Sequence, residues 1–546
     1  MEDLNLAEIQ CRISRVRDVS PLIDTCARMT TLCDQRNPVQ SSMPIPSLDD
    51  ARRLATQGNL IPVYAEILAD METPVSAFRK IAYDESGRRL PHAFLLESVE
   101  GGERIGRYSF LGAGPAAVLN RGDAGSEVTW PCGRRESLPP APEAFADVQL
   151  FLARWKQVPV PGLAPFAGGA VGYTAYETVQ RIEPVVKCQR ADGLDTPEAI
   201  FLIAHTLVAF DRVRHRIQVI SHADLSGGAS VEEAYAAACG RIDNILAQLA
   251  RPLPHLTAPA LDNLEPHAHV SNLDKPRFLG MVAKAQEYIR AGDVIQVVLS
   301  QRFQAEAKPE PLSLFRAIRA INPSPYMFCL HLGDDFALAG GSPEVHAKVS
   351  REGVVTVRPI AGTRRRGADA TEDAALEAEL LADGKEIAEH VMLVDLARND
   401  IGRIAETGSV RVSQKMMVER YSHVMHIVSE VQGQLLPELS PAAAMASTFP
   451  AGTVSGAPKI RAMQIIAELE PSARGPYAGA VCYFSFSGGV DSCIAIRTAV
   501  LKGKHTYIQA GAGIVADSVP EAEYEETRAK ARAMLVALAA ATRIPN

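Results

Sequence analysis

The order of apolar and polar residues predicts a β-rich first part of the chain. Residues 199–204 and 207–210 are short apolar runs that read as buried strands, and residues 94–98 form another such run. Residues 215–220 read as a strand with one buried face. A helical period follows over residues 231–250, so this part of the chain closes with a long helix.

The second part of the chain mixes helices and strands without a repeated β-α rhythm. Phe278, Val282 and Ile289 share one face of a predicted helix. Gly292 is expected to end that helix, and residues 294–303 read as a strand. Since strands and helices do not alternate one by one, the pattern favours an α+β fold with largely antiparallel sheets.

The pattern divides the chain into three segments. Residues 1–42 mix charges of both signs without a clear period, and we predict a disordered or dispensable N-terminal extension. A cleaner pattern opens at Met43 and continues as a β-rich region over residues 43–265. A stretch rich in Pro, His and Asn ends that region, and a second unit covers residues 272–546.

Charge and cysteine content exclude several classes of protein. The 546 residues contain 56 Lys and Arg against 64 Asp and Glu, and the net charge of −8 argues against a general nucleic-acid-binding protein. The nine cysteines form no C-x-x-C pair and no zinc-ligand spacing, which fits a reducing compartment. No apolar stretch reaches the roughly 18–20 residues of a membrane helix. We therefore expect a cytoplasmic protein that binds neither nucleic acid nor membrane.

Two predicted helices carry acids one turn apart. Glu386 and Glu389 form the first pair, and Glu523 and Glu526 form the second. Carboxylates at positions i and i+3 project from one helix face, and two such faces across a cleft would hold Mg²⁺. The alternative is a pair of solvated helix surfaces with ion pairs, which is the more common origin of this pattern.

Glycines and isolated polar residues give further candidates. Segments 362–363 and 511–513 either close backbone N–H groups on an anion or form tight turns. His426 lies among apolar residues, where a core role is more common than a chemical one. Arg497, in a predicted apolar strand, either closes a buried ion pair or binds an anionic ligand. Thr453 lies in a polar turn with hydroxyl groups at hand.

Six motifs in a fixed order carry a family resemblance. In chain order they are residues 322–328 (NPSPYMF), 341–344 (GSPE), 358–363 (RPIAGT), 389–400 (EHVMLVDLARND), 452–459 (GTVSGAPK) and 509–513 (QAGAG). From about Met43 onward the chain resembles the chorismate-utilising enzymes, and among them the anthranilate synthase component I family. The resemblance implies an α+β fold, a layered β/α/α/β sandwich of two largely antiparallel sheets enclosing helices. It also implies a regulatory region at 43–265 and a chorismate-binding catalytic region at 272–546.

The resemblance further implies a reaction. Chorismate and ammonia would give anthranilate and pyruvate, the first committed step of tryptophan biosynthesis, with Mg²⁺ as cofactor. The residues implied are Glu389 and Glu526 as Mg²⁺ ligands; Gly362, Thr363, Tyr477, Arg497, Gly511, Ala512 and Gly513 in chorismate binding; and Glu344, His426, Thr453 and Lys530 in catalysis. Glu344 would be the general acid for departure of the C4 hydroxyl, and His426 would serve the later loss of the C2 proton.

A partner subunit and an inhibitor also follow from the resemblance. The chain has no segment like the Gly-x-Cys-x-Gly turn of a glutaminase. Ammonia would therefore come from glutamine through a glutamine amidotransferase subunit, component II, in a heterotetramer. Tryptophan would act as feedback inhibitor at a site formed by Glu97, Ser98, Pro325, Tyr326 and Met327.

Related activities are separated by single residues. Aminodeoxychorismate synthase component I is the alternative enzyme, but that family typically carries a Lys where this chain has Ala361. Isochorismate and salicylate synthases activate water with a Lys where this chain has Gln296, so water is not the expected nucleophile. The non-enzyme alternative is a tryptophan-binding regulatory subunit, which would not need intact Glu389, Glu526 and His426.

Overall fold

The computed structural model describes residues 43–98, 106–188, 194–253, 264–421 and 424–544. Its α-helices are α1 (Leu48–Leu54), α2 (Pro74–Ile81), α3 (Ala144–Leu152), α4 (Val179–Ile182), α5 (Val231–Leu249), α6 (Lys275–Arg290), α7 (Pro311–Ile321), α8 (Ala370–Ala382), α9 (Gly384–Gly402), α10 (Pro441–Thr448), α11 (Lys459–Leu469) and α12 (Pro520–Ala541). Within these described ranges, no helix has the length and apolar character needed to cross a membrane.

The strands form two antiparallel sheets. They are β1 (Leu60–Leu68), β2 (His92–Glu97), β3 (Tyr108–Ala113), β4 (Ala117–Gly122), β5 (Gly125–Thr129), β6 (Arg135–Ser137), β7 (Gly169–Thr174), β8 (Ala199–Ala204), β9 (Thr206–Asp211), β10 (Arg216–Asp224), β11 (Val270–Ser271), β12 (Gln296–Ala305), β13 (Tyr326–Leu332), β14 (Phe336–Ser342), β15 (Val345–Val349), β16 (Val354–Val357), β17 (Ile360–Arg365), β18 (Arg411–Arg420), β19 (Val424–Gln434), β20 (Gly456–Ala457), β21 (Ala480–Ser485), β22 (Val490–Ile494), β23 (Thr498–Lys502) and β24 (His505–Ile514). The first sheet has the order β1-β10-β9-β3-β2-β13-β14-β23-β24-β12-β11, with β20 beside β12. The second has the order β17-β19-β16-β15-β22-β21-β7-β8-β4-β5-β6, with β18 beside β19.

The two sheets pack directly against each other, and helices cover their outer faces. On β8, Ile200 belongs to the buried cluster that both sheets share, whereas its neighbour Phe201 joins the cluster that includes α3 and α10. The ring of Tyr173 on the second sheet lies 5.6 Å from the ring of Phe336 on the first. The core therefore has one layer between the sheets and one layer under each set of helices.

The predicted α+β class with two largely antiparallel sheets is confirmed. The order of layers differs from the expected β/α/α/β sandwich, because the helices lie outside the pair of sheets. The apolar run of β8 explains this arrangement, since every one of its residues is buried and both faces need cover. One face of β8 meets the other sheet and the opposite face meets helices.

Strands from both predicted regions share each sheet. In the first sheet β2 lies beside β13, with Glu97 opposite Met327, and in the second sheet β7 lies beside β21. Pro44–Asn546 is accordingly one compact unit by its contacts. The division into a regulatory region and a catalytic region stays a prediction, and the expected extension 1–42 lies outside the described residues.

The helix that precedes β12 has the boundaries that its sequence predicts. Helix α6 begins after Asp274, whose side chain accepts a hydrogen bond from the Arg277 N–H. Phe278 and Val282 on its apolar face are fully buried. Gly292 follows the helix with a φ of 84°, a left-handed conformation that glycine adopts without strain.

Candidate active site

His426 lies on β19 opposite Thr363 in the ladder with β17. Its Nδ1 lies 3.0 Å from the carbonyl oxygen of Gly362 and 3.0 Å from the hydroxyl of Thr363. Since a carbonyl oxygen only accepts hydrogen bonds, Nδ1 carries the proton and donates a hydrogen bond to the Gly362 carbonyl oxygen. Nε2 is then unprotonated and able to accept. Burial lowers the pKa of His426, so the imidazole is neutral at pH 7.

Helix α9 brings Glu386 and Glu389 close to β17 and β12. Arg364 on β17 donates a hydrogen bond to Glu386 at 3.4 Å, and Gln296 on β12 donates one to Glu389 at 3.2 Å. Burial raises the pKa of Glu386, and the charge of Glu389 adds to the rise. Two neighbouring carboxylates in a partly buried place repel each other, and a cation would relieve that repulsion.

Helix α12 carries the second acid pair, with Lys530 one turn beyond it. Lys530 pairs with Glu526 at 2.7 Å and donates a hydrogen bond to the carbonyl oxygen of Gly511 at 3.1 Å. Burial raises the pKa of Glu523, the charge of Glu526 adds to the rise, and the charges of Lys385 and Lys530 oppose it. Because Lys385 lies in the first turn of α9, the first turns of α9 and α12 are within electrostatic reach of each other.

Strand β24 contributes an open backbone edge. Among the described strands, β23 pairs with β24 only as far as Ile508, so residues 511–513 have no paired strand on that side. Alternate N–H groups of this stretch are therefore available to a ligand. A Cβ on Gly511 would lie 2.7 Å from the hydroxyl of Tyr477, so glycine is required at this close approach. The side chain of Ala512 belongs to the core, which leaves only its backbone for binding.

Glu344 follows β14 and has 8% of its surface exposed. Burial raises the pKa of Glu344 to about 8, while the nearby Thr453 hydroxyl and the charges of Arg497 and Lys530 act in the opposite direction. These three residues therefore lie within electrostatic reach of the carboxyl group. Glu344 is protonated at pH 7 and able to donate that proton.

Arg497 occupies a bend rather than the strand that its apolar neighbours predict. Strand β22 ends at Ile494 and β23 begins at Thr498. The φ of Arg497 is 48°, a left-handed conformation that is uncommon for a residue with a Cβ. Its charge acts on both Glu344 and His426, so the guanidinium links the two groups proposed for proton transfer.

Three supporting residues are absent from the predicted set of site residues. Gln296 reaches Glu389, and a Cβ on Gly513 would lie 2.4 Å from its Nε2. Arg364 reaches Glu386, and buried Arg474 lies 5.6 Å from the ring of Tyr477. In the sequence, the visible signals were the position of Gln296 and the three consecutive arginines at residues 364–366. The acids that pair with these arginines come from α8, from α9 and from Asp383 between them.

The residues expected to bind tryptophan come together from two separate motifs. Glu97 at the end of β2 faces Met327 on β13, and Glu97 has 2% of its surface exposed. Two arginines hold its carboxylate, Arg212 at 2.5 Å and Arg319 at 2.8 Å. Ser98 is buried next to Glu97, and Tyr326 donates a hydrogen bond to Asp491 of β22 at 3.0 Å.

Comparison with known proteins identifies the family. Residues 91–536 match the family model of chorismate binding enzymes. The chain is 47% identical over 513 residues to anthranilate synthase component 1 of Synechocystis sp., covering 91% of this chain and 99% of that relative. It is 46% identical over 494 residues to the protein of the same name from Pseudomonas aeruginosa, covering 90% and 98%.

A solved structure gives the same result at the level of the fold. Anthranilate synthase component I from Streptococcus pneumoniae superposes with a TM-score of 0.69 at 37% identity, over 86% of this chain and 99% of that chain. The menaquinone-specific isochorismate synthase from Escherichia coli has the same fold, with a TM-score of 0.63 at 20% identity. The chain therefore belongs to the chorismate-binding enzyme family, among its anthranilate synthase component 1 members.

Proposed function

We propose that the chain converts chorismate and ammonia to anthranilate and pyruvate. The observation that carries this proposal is the burial of Glu344, which has 8% of its surface exposed and lies within electrostatic reach of Arg497 and Lys530. The C4 hydroxyl of chorismate is a poor leaving group unless it is protonated. A carboxyl group whose pKa is raised by burial provides that proton at neutral pH.

The first step is addition of ammonia at C2 as the C4 hydroxyl leaves. Glu344 gives its proton to the departing oxygen, which leaves as water. Arg497 and Tyr477 hold the pyruvyl carboxylate and ether oxygen, with Gly362 and Thr363 near them. An arginine fork on a carboxylate forms directional, charge-assisted hydrogen bonds, which fixes the ring relative to Glu344.

The second step is loss of the C2 proton with departure of pyruvate. His426 is neutral, and its Nδ1–H is held by the carbonyl oxygen of Gly362 at 3.0 Å. Nε2 is then the atom that accepts the C2 proton. Thr453 would orient the groups around Glu344, since its hydroxyl lies close enough to lower the pKa of that carboxyl.

The acid pairs of α9 and α12 fit a hard divalent cation such as Mg²⁺. No group of three or more His, Cys, Asp and Glu suited to a metal occurs in the described part of the chain, and Mg²⁺ commonly takes only one or two protein carboxylates. Glu389 and Glu526 would bind the ion directly, and Glu386 and Glu523 would support it through water. When bound, Mg²⁺ neutralises the ring carboxylate of chorismate. The N–H groups of residues 511–513 would donate to that same carboxylate.

Neighbouring activities fit this site less well. Gln296, beside Glu389, cannot serve as a base to activate water, which disfavours isochorismate synthesis. Ala361 on β17 offers no amine where aminodeoxychorismate synthases carry a Lys, which disfavours amination at C4. Arg497 lies close enough to both Glu344 and His426 to influence each electrostatically, an arrangement that a purely regulatory subunit would not need.

The proposal includes a partner subunit, an inhibitor and a cellular location. The relatives are named component 1, and we infer that a glutamine amidotransferase subunit, component II, supplies ammonia in a heterotetramer. Tryptophan would inhibit at the wall formed by Glu97, Ser98 and residues 325–327. Buried free thiols such as Cys329 and Cys482 fit a reducing cytoplasm.

One assay tests the whole proposal. The purified chain is incubated with chorismate, Mg²⁺ and excess ammonium at mildly alkaline pH, and anthranilate fluorescence is followed with and without tryptophan. We expect anthranilate to form, and its rate to fall when Mg²⁺ is chelated or tryptophan is added. A 4-amino product would assign the chain to aminodeoxychorismate synthesis, and unchanged chorismate would favour the regulatory subunit.

A further inference from the structure

The end of strand β14 lies between the proposed tryptophan wall and the proposed active site. In the β13–β14 ladder Tyr326 is opposite Ser342 and Met327 is opposite Gly341. Tyr326 and Met327 belong to the wall, and Glu344 comes two residues after Ser342. A structural change at the tryptophan wall therefore has to pass through only one pair of strands, β13 and β14, to reach Glu344, the proposed general acid.

The hydroxyl of Ser342 hydrogen-bonds both backbone groups of Glu344, the N–H and the carbonyl oxygen. The Glu344 N–H donates a hydrogen bond to the Ser342 hydroxyl at 3.3 Å, and that hydroxyl donates to the Glu344 carbonyl oxygen at 3.2 Å. Ser342 is completely buried, so water does not replace these bonds. The Ser342 hydroxyl also interacts with the thiol of Cys493 on β22.

The neighbouring Gly341 holds the backbone of Arg497, the arginine proposed to bind the substrate carboxylate. Its N–H donates a hydrogen bond to the carbonyl oxygen of Arg497 at 3.2 Å. Arg497 has the left-handed φ of 48°, a conformation that depends on support from its surroundings. Two consecutive residues of β14 thus position the general acid and the arginine beside it.

We propose that Ser342 positions Glu344 and couples it to the tryptophan wall. The proposal rests on the proposed function. Tryptophan would bind more tightly to one of two arrangements of the β13–β14 strand ends, and the arrangement it favours would carry Glu344 and Arg497 away from their catalytic positions. The hydroxyl of Ser342 is the link, because it is the side-chain group on β14 that bonds Glu344.

The test compares Ser342→Ala with wild type in three measurements. They are the Kd for tryptophan by equilibrium dialysis without chorismate, the tryptophan concentration for half-inhibition, and kcat with KM for chorismate. We expect the Kd and KM to stay within about twofold, and kcat to fall about fivefold for the lost hydrogen bonds. Half-inhibition is expected to require about tenfold more tryptophan. The variant would then bind tryptophan as tightly as wild type but be inhibited less by it.

A matched control and a rescue variant keep the test decisive. Ser492 is another buried serine, on β22 of the second sheet, but its hydroxyl bonds His346, so Ser492→Ala should leave binding and inhibition coupled. Ser342→Thr keeps a hydroxyl group and should restore kcat and inhibition. The inference is overturned if Ser342→Ala keeps the wild-type kcat, or if its Kd and half-inhibition change together. A wild-type chain that makes no anthranilate would instead refute the proposed function.

Discussion

The carbonyl oxygen of Gly362 accepts a hydrogen bond from His426 Nδ1 at 3.0 Å, and this contact decides which imidazole nitrogen is basic. Gly362 has a φ of 75°, a left-handed conformation that directs its carbonyl where an ordinary strand residue would not. Burial keeps the ring neutral by lowering the pKa of His426. One glycine thus sets the tautomer of the proposed base.

Replacement of His426 by Ala should block the second step more than the first. We expect anthranilate formation to fall by about 10²–10⁴-fold, the usual contribution of a positioned base, while the aminated intermediate accumulates. Chromatography of the reaction mixture measures both species. His505→Ala is the control, since His505 lies at the far end of β24 and should retain wild-type activity. Release of anthranilate at the wild-type rate by His426→Ala would exclude this role.

The acid form of Glu344 should give the pH profile its alkaline limb. Its pKa of about 8 means that the carboxyl is protonated below that value and loses its proton as the pH rises through it. At a constant concentration of free NH₃ we therefore expect kcat/KM to fall above about pH 8. Glu344→Gln should abolish this limb and lower kcat at every pH. An unchanged profile in Glu344→Gln would assign the limb to another group.

Removal of one acid from α12 should weaken the response to Mg²⁺. We expect Glu526→Gln to raise the Mg²⁺ concentration for half-maximal activity about 10–100-fold, because a charged ligand is lost. Isothermal titration with Mg²⁺ and chorismate measures the same effect without turnover. Glu525→Gln is the matched control, since Glu525 pairs with Arg528 at 3.1 Å on the exposed side of the helix. Equal effects of the two variants would argue against a metal site here.

A methyl group at Gly511 should raise KM for chorismate. Its Cβ would lie 2.7 Å from the Tyr477 hydroxyl, so one of the two must move. Overpacking of this kind costs about 1–3 kcal/mol, which corresponds to about a 5–150-fold change in KM if it falls on substrate binding. Gly280→Ala on α6 is the control, because nothing lies within 4 Å of its Cβ. A normal KM in Gly511→Ala would show that Tyr477 yields without cost.

The sequence predicts individual strands and helices well where one local pattern dominates, such as a continuous apolar run or a glycine that ends a helix. The continuous apolar runs of residues 199–204 and 207–210 became β8 and β9, and the helix ended by Gly292 became α6. The order of layers was not predictable in the same way. An apolar run shows that both faces of a strand are buried, but it does not show whether a sheet or a helix covers each face.

The candidate site shows the same limit. Glu386 and Glu389 are visible as an i, i+3 pair, but the contacts of Arg364 and Gln296 with them cross between elements far apart in the chain. Arg497 lies among residues typical of a strand, yet its backbone bends because Gly341 and the ends of two strands hold it there. Such positions depend on tertiary contacts that no local pattern encodes.

The shared sheets have a consequence for any attempt to divide this protein. A fragment that begins near residue 272 would lose β2 from the edge of β13 and β7 from the edge of β21. Both bared edges would belong to central strands with buried apolar faces, which are ready templates for intermolecular pairing. Such a fragment would aggregate rather than act as a feedback-insensitive enzyme. We therefore expect the proposed tryptophan control to be removed by substitutions within the intact chain and not by deletion of its first half.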